Sequence, residues 1–476
     1  VWSKAIPSAF HVTLRDAYDN SQRLKNLIAD SPLNQALYDT ASVLEGLPRH
    51  YSTHAAGLVL SDQPLVDLVA LQNGNEGLLM TQYSKDYVES VGLLKMDFLG
   101  LRNLTILADA LDQVKQSTGQ ALDISAVPLD DSQTIALFAK GNTTGIFQFE
   151  SNGIRNVLRR LVPTRFEDIA LVNALYRPGP MQNIDEVVKR KTTNEALSYP
   201  DESLEEILKP TYGVIVYQEQ VMLVASKMAG FSLGQADILR RAMSKKKLAV
   251  MGQMKVQFMA GSKKRGYPEA VANKVFDYIE RFANYGFNKS HAVAYSKMAY
   301  ELAFLKVHYP GEFHVALLNS VQNNTVKIKE YLLDAKSMGV TVLGPDINAS
   351  QAAFSYQDDK IIFGLESIKG VRHDMVEDML AERREHGPFK SFPDFLSRLD
   401  DKYRKSELIS ALIYSGALDG FSYNRSELIA ASPEFISSVE LSGKSMSLFK
   451  VLEPKMPRMP EMPLMDKLEK ENEYIG

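Results

Sequence analysis

Cysteine is absent from this 476-residue chain, which excludes disulfides, thiolate metal ligation and cysteine nucleophiles together. Metal binding is left to carboxylates and eight histidines. Long apolar runs are missing too: none approaches the roughly 20 residues that cross a bilayer, and the first residues form no charged-then-apolar leader. A cytoplasmic protein without a membrane partner is expected. No Ser-His-Asp arrangement, Walker A loop, Gly-x-Gly-x-x-Gly fingerprint or His-Glu-x-x-His stands out. This argues against serine hydrolases, P-loop ATPases, dinucleotide oxidoreductases and zinc proteases.

The charge that is present is unevenly placed. Between Ile238 and Pro268 lie Arg240, Arg241, Lys245, Lys246, Lys247, Lys255, Lys263, Lys264 and Arg265, with no Asp or Glu among them, in a chain of formal net charge -4. Such a concentration suits a polyphosphate or nucleic-acid backbone, and equally a solvated helix face. Leu239, Met243, Leu248, Met251, Met254, Phe258 and Met259 recur at helical spacing through the run. One face can then dock on a core while the cations are held in place on another, as recognition of a triphosphate or duplex requires.

With 45% hydrophobic and 24% charged residues the chain has the make-up of a globular protein of several domains. Apolar positions around Ser31-Pro32 predict short helices from about Val12 to Leu47. Runs at Ala55–Leu60, Gly77–Tyr83 and Val91–Phe98, bounded by Gly, Asn, Pro and Asp, predict strands of a half-buried sheet. Helical periodicity from Leu101 to Met338 predicts a large helical domain, punctuated at Arg177-Pro178-Gly179-Pro180 and Tyr212-Gly213. The fold class is therefore α+β, mostly helical.

Past Leu343-Gly344-Pro345-Asp346 the pattern changes. Phe354-Ser355-Tyr356 and Lys360–Phe363 flank Asp358-Asp359 as a hairpin would. Gly364–Val371 followed by amphipathic Met375–Glu385 reads as helix, tight glycine turn, helix, with a looser copy near Tyr414–Leu418. Beyond Pro433 the composition turns to Ser, Pro, Met and Lys, and a linker is expected. The chain opens on Val1-Trp2 and ends in a helix-forming acidic run, so both ends are expected to be cuts within a longer protein.

Four places can carry chemistry. Asp97 ends an apolar run, where an ionised carboxylate needs a metal or another cation, or else caps the helix that follows. One aspartate does not make a divalent-metal site, and no Asp-x-Asp pair occurs in the chain. Tyr285–Tyr295 packs Asn288, Lys289, Ser290 and His291 between aromatic rings, as a phosphate and a base would want, or as a helix cap would. Arg177 is fixed by the rigid Pro178-Gly179-Pro180, either to aim a guanidinium at phosphate or to stop a helix. The turn at Lys369-Gly370 is similar to a helix-hairpin-helix turn, whose backbone N–H groups bond a DNA phosphate without reading sequence. Arg49-His50, Ser52–Gly57 and Tyr217-Gln218-Glu219-Gln220 are polar clusters to which residue types assign no role.

Seven segments, in order, resemble family C, the bacterial replicative DNA polymerase III alpha subunits. They are Ser52-Thr-His-Ala-Ala-Gly57, Lys95-Met-Asp-Phe-Leu-Gly100, Gly145-Ile-Phe-Gln-Phe-Glu150, Leu175-Tyr-Arg-Pro-Gly-Pro-Met181, Tyr217–Gln220, Leu239–Met243 with Lys245–Lys247, and Tyr285–His291. The resemblance implies a thumb remainder at 1–51, the second part of a nucleotidyltransferase-like palm at 52–101, fingers at 102–343, a helix-hairpin-helix region at 344–432 and a linker at 433–476. Asp97 would be the third metal-binding aspartate of the palm, serving Mg2+, with the other two upstream of Val1. Arg177, Arg240, Arg241, Lys289 and His291 would hold the triphosphate and templating end. Lys245, Lys246, Lys247, Lys369 and Gly370 would follow DNA. Implied partners are primed template DNA, deoxynucleoside triphosphates and, through the full-length protein, a sliding clamp and other replisome subunits. The implied activity is template-directed DNA synthesis, with the fragment itself inactive. The rival reading is a non-catalytic protein that grips duplex through the basic segment and the hairpin.

Overall fold

The computed structural model describes all residues except 1, 7–11, 48–49, 55, 75–76, 86, 99, 178, 194–196, 245–247, 283–285, 323 and 443–453. The chain divides into two compact units, Val1–Leu101 and Arg102–Gly476.

In the first unit the helices Leu14–Asn20, Gln22–Ala29 and Pro32–Leu44 each begin at a hydroxyl cap. Thr13 and Asp16 form a reciprocal capping box, and Ser31 accepts from the Asn34 amide while Pro32 takes the first helical position. Ala17, Leu24 and Ile28 make a small core there. Four short strands follow: β1 Gly57–Leu60, β2 Leu71–Asn73, β3 Leu79–Thr81 and β4 Leu94–Asp97. They form two separate antiparallel pairs, β1 with β4 and β2 with β3. The β1–β4 pair is covered on one face only. Val59 packs toward Val69, Val88 and Leu93, whereas Leu58, Leu60, Leu94 and Met96 alternate onto the other face and stay exposed. β2 was not foreseen, because Leu71-Gln72-Asn73 carries no β-branched residue to signal it.

The second unit is helical and holds two cores. The larger runs from Ile106 to Val439; the smaller is built by the helices Gln218–Ala229, Leu233–Ser244, Leu248–Lys264 and Glu269–Phe282. In the smaller core Leu239, Met243, Met251, Met254 and Phe258 are buried, so the apolar stripe through the basic segment does face inward. Gly261 lets two of these helices touch: a Cβ there would come 2.1 Å from the Ala229 carbonyl oxygen.

Asp168, fully buried on the helix Phe166–Leu175, ties this region together. It accepts from Lys191 Nζ at 2.6 Å, the Tyr212 hydroxyl at 2.7 Å and the Thr164 amide at 3.0 Å. Burial alone would raise its pKa, but the bonds from Lys191, Thr164 and Tyr212 outweigh it and hold the carboxyl below the ordinary range. Asp168→Ala strands the Lys191 ammonium and should cost about 3–5 kcal/mol in chemical denaturation. A loss under about 1 kcal/mol, the worth of a surface pair, would show that the buried network contributes nothing.

Beyond the helices, β5 Thr341–Leu343, β6 Ser355–Gln357 and β7 Lys360–Ile362 form a sheet of order β5-β7-β6. Asp358 and Asp359 turn the β6–β7 hairpin with φ of 48° and 58°, the left-handed pair that a two-residue hairpin turn needs. A 3-10 helix Leu365–Ser367, the turn at Gly370 (φ 89°) and the helix His373–His386 complete the expected helix-turn-helix, with the first arm shorter than expected. The stretch read as linker carries the end of the helix Arg425–Ser442 and another helix, Leu464–Tyr474. Arg425 to Glu471 at 2.8 Å and the stacked rings of Tyr414 and Tyr474 anchor the latter, long-range contacts that local composition does not announce.

Candidate functional site

Asp97 is the last residue of β4, paired in register with Gly57 of β1. Its carboxylate is exposed and meets Lys95 Nζ at 3.5 Å. The helix that follows begins at Arg102, so Asp97 is not its cap. A Cβ built on Gly57 would lie 3.1 Å from Asp97 Oδ1 and 2.9 Å from His54 Nδ1. The absence of a side chain at 57 is what lets His54 and Asp97 converge. His54 Nδ1 accepts from the amides of Ala56 at 3.1 Å and Gly57 at 2.7 Å, and so shapes the entry to β1. The Ser52–Gly57 motif, to which residue types gave no role, thus stands beside the carboxylate.

In the second unit, Arg177, Lys289 and His291 meet around aromatic rings. The guanidinium of Arg177 lies 4.2 Å from the centroid of Phe287, and Phe287 meets His291 edge-on at 5.4 Å. His291 stacks on Tyr295 at 4.2 Å, and Phe147 backs Tyr295 at 5.4 Å. Lys289 Nζ stands 5.9 Å over the Tyr217 ring, and Tyr217 bridges to Phe287. Among the described residues Arg177 makes no ion pair, and its Nε is buried without a hydrogen-bond partner. Burial lowers the pKa of Arg177; burial first, and then the charge of Arg177, lower that of His291. The Arg177 shift reports its partial desolvation, and that of His291 its desolvation and the nearby cation.

The Tyr217–Gln220 motif builds this cluster. Gln218 donates from its backbone to the Phe287 carbonyl at 2.9 Å and from Nε2 to the Gly286 carbonyl at 3.0 Å. Glu219 receives Asn288 Nδ2 at 3.1 Å and the Lys289 amide at 3.0 Å, while Asn288 caps the helix Lys289–His308 through the His291 amide. Gln220 turns inward to bond the amides of Val216 and Tyr217. Three consecutive polar residues beside an apolar strand were the signal in the sequence. The directions of Gln218 and Glu219 depend on a segment about 70 positions away.

The basic segment needs a correction: its cations are not without counter-ions. Asp237, one residue upstream of the interval, reaches Arg240 at 2.8 Å and Arg241 at 2.7 Å by helical i,i+3 and i,i+4 spacing. Lys255 pairs with Asp277 at 2.8 Å. Arg240 also reaches Gln218 Oε1 at 3.5 Å, which joins it to the Phe287 cluster; Arg241 is exposed. Lys245, Lys246, Lys247 and Tyr285 lie outside the described residues. At the hairpin, the amides of Ile368, Lys369 and Val371 are already bonded within the chain, that of Lys369 to the Tyr474 carbonyl at 2.9 Å. The Gly370 amide has no acceptor among the described residues.

Residues 1–100 match the family described as the bacterial DNA polymerase III alpha NTPase domain, and 103–266 the bacterial DNA polymerase III alpha subunit finger domain. The chain is 46% identical over 481 residues to the DNA polymerase III subunit alpha of Bacillus subtilis (strain 168), and 44% identical over 480 residues to that of Halalkalibacterium halodurans. This chain belongs to the bacterial DNA polymerase III alpha family. Both alignments take in 100% of this chain and 43% of the relative, so the chain spans under half the length of these polymerases. A subunit from Staphylococcus epidermidis is 42% identical with 44% of its length covered.

Within the polymerase III alpha frame, Asp97 falls in the first matched stretch and Arg177, Arg240 and Arg241 in the finger domain. Lys289 and His291 lie beyond it. Residues 339–428 match a helix-hairpin-helix motif, which contains Lys369 and Gly370. Among the described residues, no helix is long and apolar enough to cross a membrane.

Proposed function

We propose that this chain is the thumb-to-fingers portion, with the helix-hairpin-helix region that follows, of a replicative DNA polymerase alpha subunit that adds deoxynucleotides to a primer 3'-hydroxyl. The observation that carries the reading is Arg177, whose partly buried guanidinium has no carboxylate partner among the described residues. An uncompensated buried cation is costly unless an anion arrives to meet it. A triphosphate supplies that anion, and its base can lie against the rings of Phe287, His291 and Tyr295. Lys289 and Arg240 flank the same cluster and add charge. In this reading Arg241 and His291 also serve the triphosphate and templating end, while Lys245, Lys246 and Lys247, which lie outside the described residues, and Lys369 with Gly370 serve the DNA backbone.

The family implies a divalent metal, which we take to be Mg2+. Asp97 gives one carboxylate, and among the described residues it belongs to no group of three candidate metal ligands. These residues alone therefore do not form the metal centre. The remaining ligands, a sliding clamp and the other replisome subunits belong to the full-length protein, in the cytoplasm.

In the full-length polymerase, Arg177→Ala should lower kcat/KM for the incoming nucleotide by about a hundredfold, as expected for a charge-assisted phosphate contact. Arg177→Lys should recover little of this, because a point charge replaces a planar stacked fork. Single-nucleotide incorporation kinetics measure both. Unchanged kcat/KM in Arg177→Ala would remove the triphosphate from this cluster.

A further inference from the structure

A second group of chemically competent side chains lies outside the nucleotide cluster, on the two shoulders of the hairpin turn. Glu366 sits on the 3-10 helix Leu365–Ser367, His373 is the first residue of the helix His373–His386, and Glu377 follows one turn later on the same face. One ligand atom from each of the three lies within 4.8 Å of the others, and His373 Nδ1 already meets Glu366 Oε1 at 2.5 Å. Among the described residues no other His, Asp or Glu group comes together in this way.

We propose that Glu366, His373 and Glu377 bind a divalent ion of the zinc type, which clasps the turn carrying Lys369 and Gly370. One imidazole nitrogen with two carboxylates is a donor set for zinc, cobalt or nickel rather than for magnesium or calcium. Tetrahedral ligand atoms about 2.0–2.2 Å from zinc stand farther apart than the Glu366–His373 contact, so that pair must open slightly as Glu377 closes on the ion, and His373 and Glu377 are exposed and free to move. Three protein ligands leave a coordination position open to water or an anionic oxygen. Because Glu366 and His373 bracket the turn in sequence, the ion closes a short loop around it.

The ion answers an electrostatic difficulty. A turn meant to approach a DNA phosphate carries two carboxylates on its shoulders, and Arg372 beside them is already committed to Asp374 at 2.9 Å. A bound dication cancels the charge of Glu366 and Glu377 and makes the approach of a phosphate favourable. The DNA part of this inference rests on the function proposed above; the ion site does not.

The test uses the 476-residue chain stripped with chelator and titrated with CoCl2 by visible absorption and with ZnCl2 by calorimetry. One equivalent should bind the wild type, and His373→Ala and Glu377→Gln should each weaken it at least tenfold. Identical titrations of wild type and His373→Ala would overturn the site, since the seven other histidines are common to both. Duplex binding by fluorescence anisotropy supplies the second readout. Zn2+ should tighten wild-type binding several-fold and leave His373→Ala unchanged. Metal bound without any change in duplex affinity would uphold the ion site and overturn its link to DNA.

Discussion

Asp97→Asn in the full-length polymerase should reduce primer extension by about a thousandfold or more, on the scale of removing a charged group from a phosphoryl-transfer site, and leave duplex affinity within about twofold. The substitution is nearly isosteric, and the side chain is exposed at the end of β4. The backbone of residue 97 keeps its pairing with Gly57, and the Phe98 amide keeps its bond to the Ala56 carbonyl at 2.7 Å. The only ion pair it breaks among the described residues is with Lys95 at 3.5 Å, an exposed contact worth under about 1 kcal/mol. Unfolding therefore does not explain a large loss of rate. Extension close to wild type would defeat the assignment of Asp97, and a parallel loss of duplex binding would recast it as structural. His54→Ala is the companion variant. It frees the amides of Ala56 and Gly57 and so should blunt extension less than the loss of the carboxylate itself.

What the sequence makes legible here is whatever depends on local spacing. The Asp358-Asp359 hairpin, the cap at Ser31-Pro32, the inward stripe from Leu239 to Phe258 and the glycine turn at 370 all follow from neighbours within about one helical turn. The gathering of Arg177 with Lys289 and His291 does not: it is implied by the resemblance to family C, and the contacts that make it run between distant segments. What stayed hidden is set by distance. Counting charge inside Ile238–Pro268 missed Asp237 by one residue and Asp277 by nine, and with them the ion pairs of Arg240, Arg241 and Lys255. The tasks of Gln218, Glu219 and Gln220 could not be told apart, since the partners of the first two reside on the 286–289 turn and those of Gln220 on the irregular segment just before it. Nor could a composition rich in Pro, Met and Lys reveal that Tyr474 returns to the Lys369 amide.

The cluster of Arg177, Lys289 and His291 is held from behind by a buried charge, and its removal should cost much stability. Lys306, on the same helix as His291 and Tyr295, is fully buried. Its ammonium meets Asp334 Oδ2 at 2.6 Å and the carbonyls of Asn142 at 3.0 Å and Thr144 at 2.9 Å, which matches three donors to three acceptors. Those carbonyls belong to the turn that leads into Gly145–Glu150, so Lys306 fixes the segment from which Phe147 backs Tyr295. Asp334 also receives His314 Nε2 at 2.9 Å. Burial would raise the pKa of Asp334, but the bond from His314 and the charge and bond of Lys306 hold it below its ordinary value of 3.8. A carboxyl lowered in the folded state adds stability that is complete above the unfolded pKa and is lost as pH falls through the folded one. Asp334→Ala should therefore cost about 3–5 kcal/mol at neutral pH, by leaving Lys306 charged and unpaired in the interior. The same variant should lose much of the wild type's further decline in stability below about pH 4. Lys306→Met should cost a similar amount through the stranded Asp334, and the double variant Lys306→Met/Asp334→Leu far less than the two added together. Urea denaturation of the four proteins at pH 7 and pH 3.5 measures this coupling. Strict additivity at pH 7 would mean that Lys306 and Asp334 are held independently, and that the turn behind Tyr295 owes its position to apolar packing alone.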